Sequence, residues 1–239
     1  MKIDGGLGVD SGFDGIMDKS REQEEIGYDG LWVPETSHDP FTMLPLMAEA
    51  TENVELGTSI VVGFARNPMD LAYSANDIQL ISKGRFTLGL GSQIKAHITR
   101  RFSMEWSKPA ARMREMILAT KAIWNSWNTG EKLDFRGDFY QHTLMTPFFH
   151  PGENPYGAPR MALAGVGPLM TEVAGETWLV GGGRGRDGVL RPVREQASAS
   201  AAAIAAAASD CDARHGACQE LGPTQRVLPA GRNGRARIF

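Results

Sequence analysis

Hydrophobic and polar positions follow two periods along the first 176 residues, and the switches between them mark out the elements. Short apolar, β-branched or glycine-bearing runs at residues 2–9, 28–34 (YDGLWVP), 54–62 (VELGTSIVV), 85–91 and 160–166 (RMALAGV) read as strands. Between them, apolar residues recur every three or four positions, the spacing of a helix face. Asp10 or Ser11 could cap a helix reaching about Ile26, with Gly27 as its stop. Asp39-Pro40 and Asn67-Pro68 each pair a capping residue with a proline in the first turn. The first of these helices should bury Phe41, Leu44, Met47 and Ala48, the second Leu71, Ala75, Ile78 and Ser82. Ser107 is the expected cap of the longest helix, whose stripe is Met113, Met116, Ile117, Thr120, Ile123, Trp124 and Trp127. Residues 128–155 are loop-rich, with a hairpin expected around Asp134–Tyr140, and Gly167-Pro168 opens a helix from Leu169 to Gly175.

Strands alternating with helices imply right-handed crossovers and a parallel sheet. A closed barrel of this type needs eight such units and typically about 250 residues. Five units are legible here, so the expected fold is α/β: an incomplete (β/α)8 barrel with an irregular C-terminal tail. An open sheet of that kind would carry two long apolar edges.

Composition sharpens the boundary. Every Lys, Met and Tyr lies before Thr177, both Cys lie after it, and every Lys or Arg beyond it is Arg. Ala197–Ala208 is almost wholly Ala and Ser, and past Thr177 only Trp178-Leu179-Val180 could add a strand. The expected division is a barrel part, 1–176, and a low-complexity Ala/Arg/Gly tail, 177–239. Such a tail fits a GC-rich gene read out of frame better than a second domain. The 239-residue chain has a net charge of −3, which leaves no nucleic-acid footprint. It also lacks the run of about 18 apolar residues that a membrane span requires. No long apolar leader opens the chain, so a cytoplasmic protein is the expectation.

Active sites of parallel barrels sit at the C-terminal strand ends. Four segments fall there: Glu35–Asp39, Gly63–Asn67, Ser92–Arg101 and Gly165–Pro168. Gly165-Val166-Gly167 before a helix reads as a phosphate site, where free N–H groups meet an anion, or as a tight turn that needs glycine. His38 reads as a proton carrier beside a ring, or as a loop histidine next to a helix cap. Glu35 could orient His38 or a backbone amide, or stand solvated. His97, Arg100 and Arg101 suit phosphate or carboxylate partners, or simply open a solvated helix. Ser92 and Gln93 stand closer to the strand end. Thr58 could serve the site or the interior, and Gly63, beside Val61 and Val62, would allow a ring to approach closely. Cys211, Cys218 and His215 do not match zinc spacing, and Gly181–Arg186 resembles a loose basic linker. Trp106, Trp124 and Trp127 read as packing. Neither a Ser-His-Asp arrangement nor a metal-ligand cluster is evident.

Several motifs in order carry a resemblance: EEIGYDGLWVPE with His38 after it, ELGTSIVVGFARNP, IQLISKGRFTLGLGS, KPAARMRE and LAGVGPLMTEVAGE. Together they resemble the luciferase-like monooxygenase family over about residues 1–176. The resemblance implies a (β/α)8 barrel that binds FMN or the deazaflavin coenzyme F420 at its C-terminal mouth. It implies a non-prolyl cis peptide near Val61–Gly63, and a substrate pocket shaped by the insertion after the fourth strand. His38 and the SQIKAHITRRF run look most similar to deazaflavin-dependent members, which implies hydride transfer to or from the deazaflavin ring. By the same resemblance His38, with Glu35, would be catalytic. Thr58, Val61, Val62, Gly63, Ser92, Gln93 and His97 would line the ring, and Gly165, Val166 and Gly167 would hold the phosphate. FMN-dependent monooxygenation is the alternative, and a non-enzymatic barrel remnant a third. A small-molecule substrate and a homodimer are the expected partners, with no nucleic acid and no membrane. The chain departs from the family at Thr177, where members continue with an "ADG" strand and two further units, so weak or no turnover is expected.

Overall fold

The computed structural model describes residues 3–7 and 12–179. The expectations for Asp10, Ser11, Gly181–Arg186, Ala197–Ala208, Cys211, His215 and Cys218 lie outside the described residues. In chain order the elements are β1 (Asp4–Gly6), α1 (Ile16–Ile26), β2 (Gly30–Val33), α2 (Pro40–Ala50), β3 (Glu55–Thr58), β4 (Val61–Val62), α3 (Pro68–Ile81), β5 (Phe86–Gly91), α4 (Pro109–Thr129), β6 (Phe135–Arg136), β7 (Gln141–His142), β8 (Arg160–Leu163) and α5 (Pro168–Leu179). A 3-10 turn covers Gly63–Ala65 and a π-helical turn His97–Arg101.

All strands of the main sheet are parallel. Their order is β1-β2-β3-β5-β8, with the short β4 beside the end of β5. This is the expected α/β fold, an incomplete (β/α)8 barrel of five units among the described residues. In-register pairs such as Leu31 with Leu56 and Leu56 with Phe86 put the apolar side chains of neighbouring strands on one face. There Leu31, Val33, Leu56, Phe86, Leu88 and Leu90 pack with the helices into one core. By the same alternation Gly30, Trp32, Gly57, Thr87 and Gly89 share the opposite face. The outer edges of β1 and β8 have no strand partner among the described residues. They are not the long apolar edges expected: β1 is three residues, Asp-Gly-Gly, and β8 is four.

The helices start largely where local chemistry dictates. The Asp39 carboxylate accepts from Phe41 N–H, and the Asn67 amide oxygen accepts from Met69 N–H and Asp70 N–H, each with proline in the first turn. Gly27 ends α1 at φ 101°. The α3 and α4 stripes are buried as expected. In α2, Met43 joins Leu44, Met47 and Ala48 in the core, whereas Phe41 is only half-buried, 5.5 Å beneath the Arg66 guanidinium. Two caps differ from expectation. Helix α1 begins at Ile16 behind Gly15 (φ 68°) with no side-chain cap, and α4 begins behind Lys108 (φ 37°) rather than on a Ser107 hydroxyl.

The run 54–62 is not one strand. It bends at a cis peptide between Ser59 and Ile60, upstream of the expected position at Val61–Gly63. The β3–β5 ladder stops after two residue pairs. There the Thr58 hydroxyl donates to the Gly89 carbonyl (2.7 Å) and accepts from the Gly89 N–H (2.8 Å). A side chain thus replaces the next rung, freeing the backbone to turn. Trp178 and Leu179 belong to α5 rather than to a strand.

Arg85 closes the N-terminal end of the sheet. Its guanidinium donates to the carbonyls of Ala48, Thr51, Val54 and Ser82 and to the Thr51 hydroxyl, all at 2.8–3.0 Å. Burial lowers its pKa, partly opposed by Glu24 and Glu52. Glu24 accepts from the amides of Glu52, Asn53 and Val54. Burial alone would raise the Glu24 pKa, but those amides and Arg85 hold it below the usual carboxylate value.

The insertion between α4 and β8 is tied to α4 by two residues of the KPAARMRE motif. Glu115 accepts from the amides of Asp138, Phe139 and Tyr140 at 2.6–2.9 Å. Arg112 donates to the Tyr140 hydroxyl (3.1 Å) and the Glu105 carbonyl (2.8 Å). The β6–β7 hairpin is thereby held at its turn.

At the end of that hairpin, His142 Nε2 is buried with no hydrogen-bond partner among the described residues. Burial lowers the imidazole pKa below its usual value of about 6.5. Between those two values the unfolded chain binds more protons than the folded one. Stability from this group is therefore complete above about pH 6.5 and is lost as the pH falls through the lowered value. Urea midpoints recorded from pH 7.5 to 5 should decline, and His142→Gln should flatten the decline. An unchanged slope in the variant would remove His142 as its source.

Candidate functional site

Because the sheet is parallel, the segments leaving β2, β3, β5 and β8 emerge at one end of it. The loop after β2 is Glu35–Asp39, the turn after β5 is Ser92–Gln93, and β8 leads through Gly165–Gly167 into α5. From β2 to β8 is three strand spacings, about 14 Å at about 4.8 Å each. His38, Ser92 and Gly167 therefore stand on one rim. A separate cavity of about 350 Å³, lined by Ser126, Lys132, Leu133, Met145 and His150, lies by the C-terminal end of α4, away from the rim.

The β2 loop is held from several sides. The Glu35 side chain is only 7% exposed. Its carboxylate accepts from the Val62 N–H (2.8 Å) and from Arg66 Nη1 (2.7 Å), while its own N–H donates to the Ile60 carbonyl (3.1 Å). Arg66 Nη2 reaches Asp39 Oδ2 at 2.9 Å. Arg101 donates to the Thr36 carbonyl at 3.1 Å, joining the π-helical turn to the same loop. Glu35 thus binds a backbone amide and a guanidinium rather than His38. His38 itself is exposed, and the Phe13 ring meets it edge-on at 5.0 Å. A short solvent-facing imidazole at a strand end can donate a hydrogen bond or exchange a proton with a bound molecule.

The residues expected around the ring divide into two sets. Ser92 and Gln93 are half-buried on the rim; the Ser92 hydroxyl donates to the Gln93 carbonyl (3.2 Å), and Gln93 takes a left-handed φ of 59°. His97 is exposed at the start of the π-helical turn. Thr58, Val61, Val62 and Gly63 instead belong to the core. Thr58 is spent on Gly89, and Val61 and Val62 are fully buried. Gly63 packs on α4, where an added Cβ would meet Met116 Sδ at 3.0 Å. These four can offer a ligand backbone, not side chains.

The Gly165–Gly167 turn is open enough to receive an anionic coenzyme tail. Gly167 has φ 84° with open space where a Cβ would be, and Val166 is 72% exposed. Thr171 accepts none of the turn's amides; its hydroxyl donates to the Gly165 and Gly167 carbonyls. The Leu169 and Met170 amides make no hydrogen bond among the described residues. Two open N–H groups at the positive end of a twelve-residue helix suit a phosphate. On the rim, then, the residues fit the group.

Sequence reasoning placed Arg66 in a rim segment, Gly63–Asn67, without giving it a role, and it missed Phe13. Arg66 stands one position before a helix cap, where a solvated arginine is unremarkable, and its carboxylate partner lies 31 residues away.

Comparison with known proteins matches this architecture. The family model described as luciferase-like monooxygenase matches residues 1–219. An uncharacterized protein of Mycobacterium tuberculosis is 55% identical over 153 residues, 64% of this chain and 45% of that protein. The F420-dependent glucose-6-phosphate dehydrogenase of Amycolatopsis mediterranei is 30% identical over 174 residues, 67% of this chain and 50% of that one. The chain thus spans about half the length of the curated relatives it matches. Among solved structures, the oxygenating constituent of 3,6-diketocamphane monooxygenase from Pseudomonas putida, in complex with FMN, superposes with a TM-score of 0.58 at 15% identity. It covers 77% of this chain and 65% of that one. The chain belongs to the luciferase-like monooxygenase family.

Proposed function

We propose that the protein is an oxidoreductase that transfers hydride between the deazaflavin coenzyme F420 and a small organic substrate. The observation that carries the reading is the common rim, on which an exposed His38, the Ser92–Gln93 turn and the open amides of α5 emerge from neighbouring parallel strands. When bound, the coenzyme supplies the hydride chemistry. The residues of the chain bind and orient. The Leu169 and Met170 amides would take the phosphate, Ser92 and Gln93 would flank the ring, and His38 would donate a hydrogen bond or carry the proton that balances the hydride. Glu35 would act behind them, holding the Val62 amide. Similarity to an F420-dependent dehydrogenase supports the deazaflavin. Similarity in fold to an FMN complex supports the alternative, an FMN-dependent monooxygenase.

Titration with F420 and, separately, with FMN tests both. F420 should give a saturable change in absorbance and fluorescence, and FMN a weaker one. Gly167→Val, strained at φ 84°, should weaken F420 binding about tenfold or more. His38→Asn should leave binding within a few-fold and lower any hydride transfer about 100-fold or more. A folded sample that responds to neither coenzyme overturns the proposal; a response to FMN alone favours the alternative.

The division at Thr177 is likewise a proposal. Translation of the other two frames of the gene beyond Glu176 should yield an "ADG" strand and further β/α units, and their absence from both frames would remove it.

A further inference from the structure

We propose that Arg66 is a positioning residue whose forked side chain sets where His38 stands on the rim. The inference rests on the reading of His38 as the group facing the coenzyme. His38 lies inside a five-residue loop, Glu35–Asp39, and Arg66 binds the first and last of those residues: Glu35 Oε2 at 2.7 Å through Nη1 and Asp39 Oδ2 at 2.9 Å through Nη2. Both contacts are also anchored beyond the loop. Glu35 Oε2 takes the Val62 N–H, and Asp39 Oδ1 takes the Phe41 N–H that starts α2. The Arg66 guanidinium stands over the Phe41 ring at 5.5 Å, and its side chain is 17% exposed. His38 has no hydrogen bond of its own among the described residues; the Phe13 ring meets it at 5.0 Å, and Gly12 lies beside its Nε2. The loop that carries the imidazole is held at both ends by one guanidinium, with Arg101 adding a contact at the Thr36 carbonyl.

A planar fork can span two carboxylates, whereas an ammonium is a point charge. Arg66→Lys consequently separates positioning from charge balance, because it keeps the cation beside the buried Glu35 while losing the span. Asp39→Asn is the milder variant: asparagine still caps α2, and only the second arm is weakened. Both are read in the whole chain by the histidine ring signals in 1H–13C spectra, with His38 assigned through His38→Gln, and by F420 titration.

In Arg66→Lys the His38 signal should lose the shift imposed by the Phe13 ring, the Kd for F420 should stay within a few-fold, as in His38→Asn, and any hydride transfer should fall about tenfold or more. Asp39→Asn should move the same signal in the same direction by less. A lysine variant with the wild-type His38 signal would show that charge alone suffices and overturn the inference; so would an unmoved signal in Asp39→Asn, should the lysine variant not fold. If the wild-type protein binds neither F420 nor FMN, the proposed function falls, while the His38 signal of the free protein still decides the role of Arg66.

Discussion

Arg85→Met should lower stability by about 3–5 kcal/mol, a large share of the about 5–15 kcal/mol that holds an ordinary domain folded. Methionine fills much of the same volume, so the loss is not chiefly one of packing. It arises because the carbonyls of Ala48, Thr51, Val54 and Ser82 lose a common donor. A buried acceptor left unpaired costs about 1–3 kcal/mol. Those carbonyls lie at the end of α2, the entry to β3 and the end of α3, so the same change unfastens three elements at once. Glu24 and Glu52 also lose their neighbouring cation. Arg85→Lys should recover less than half of the loss, since three donors on one nitrogen cannot reproduce five contacts spread over a plane. Urea denaturation followed by circular dichroism measures both variants. A methionine variant within about 1 kcal/mol of wild type would show that solvent satisfies these carbonyls.

The second large effect is expected at Gly89→Ala. A Cβ at residue 89 would lie 1.9 Å from the Thr58 carbonyl oxygen, which is backbone and cannot swing aside. The alanine also disturbs the Thr58 hydroxyl, which exchanges hydrogen bonds with both Gly89 N–H and Gly89 carbonyl. Because the β3–β5 ladder has only two residue pairs below this point, β3 and β5 must part. The cost should be about 3 kcal/mol or more, at the upper end of overpacking changes. Thr58→Val keeps the shape but deletes the exchange, and should cost about 1–2 kcal/mol. The pair separates the steric contribution from that of the hydrogen bonds in the same denaturation experiment. In Gly89→Ala the loops after β3 and β5 should also be displaced, so F420 affinity should fall further than in Thr58→Val. If Gly89→Ala proves the milder variant, the close approach of Thr58 to Gly89 is not what sets this part of the sheet.

What the sequence could disclose was local. Asp39-Pro40 and Asn67-Pro68 mark helix starts because cap and proline act within one turn. The α4 stripe is plain because seven core contacts recur at one spacing. The parallel arrangement follows from alternation alone, and with it the convergence of His38, Ser92 and Gly167 on one rim. Links that join distant positions were hidden. Nothing near Glu35 announces Arg66, and nothing near Thr58 announces Gly89, each pair being 31 residues apart. The break within residues 54–62 was illegible for the same reason, since it contains no proline and lies next to the Thr58–Gly89 exchange. The motif around Arg85 was misleading in a different way. Its far end reaches the rim at Ser92, but its arginine faces the other end of the sheet, where it holds helix ends together. One short signature thus combines a residue near the candidate chemistry with one that serves only the scaffold. Ser107 shows the limit of capping rules: a good capping residue stood in place, and the helix started one residue later on a backbone twist at Lys108.

The grip of Glu115 and Arg112 on residues 138–140 reaches beyond this chain. An insertion between a helix and the next strand is readily treated as an exchangeable cassette, to be transplanted between homologues along with its own ends. Here the cassette's fasteners sit outside it, on the preceding helix, and a larger residue at Gly137 would have to displace the Glu115 carboxylate. A chimera that imports a foreign hairpin without its matching helix would carry the new surface but lose the orientation. Two side chains of α4 therefore determine which swaps can succeed.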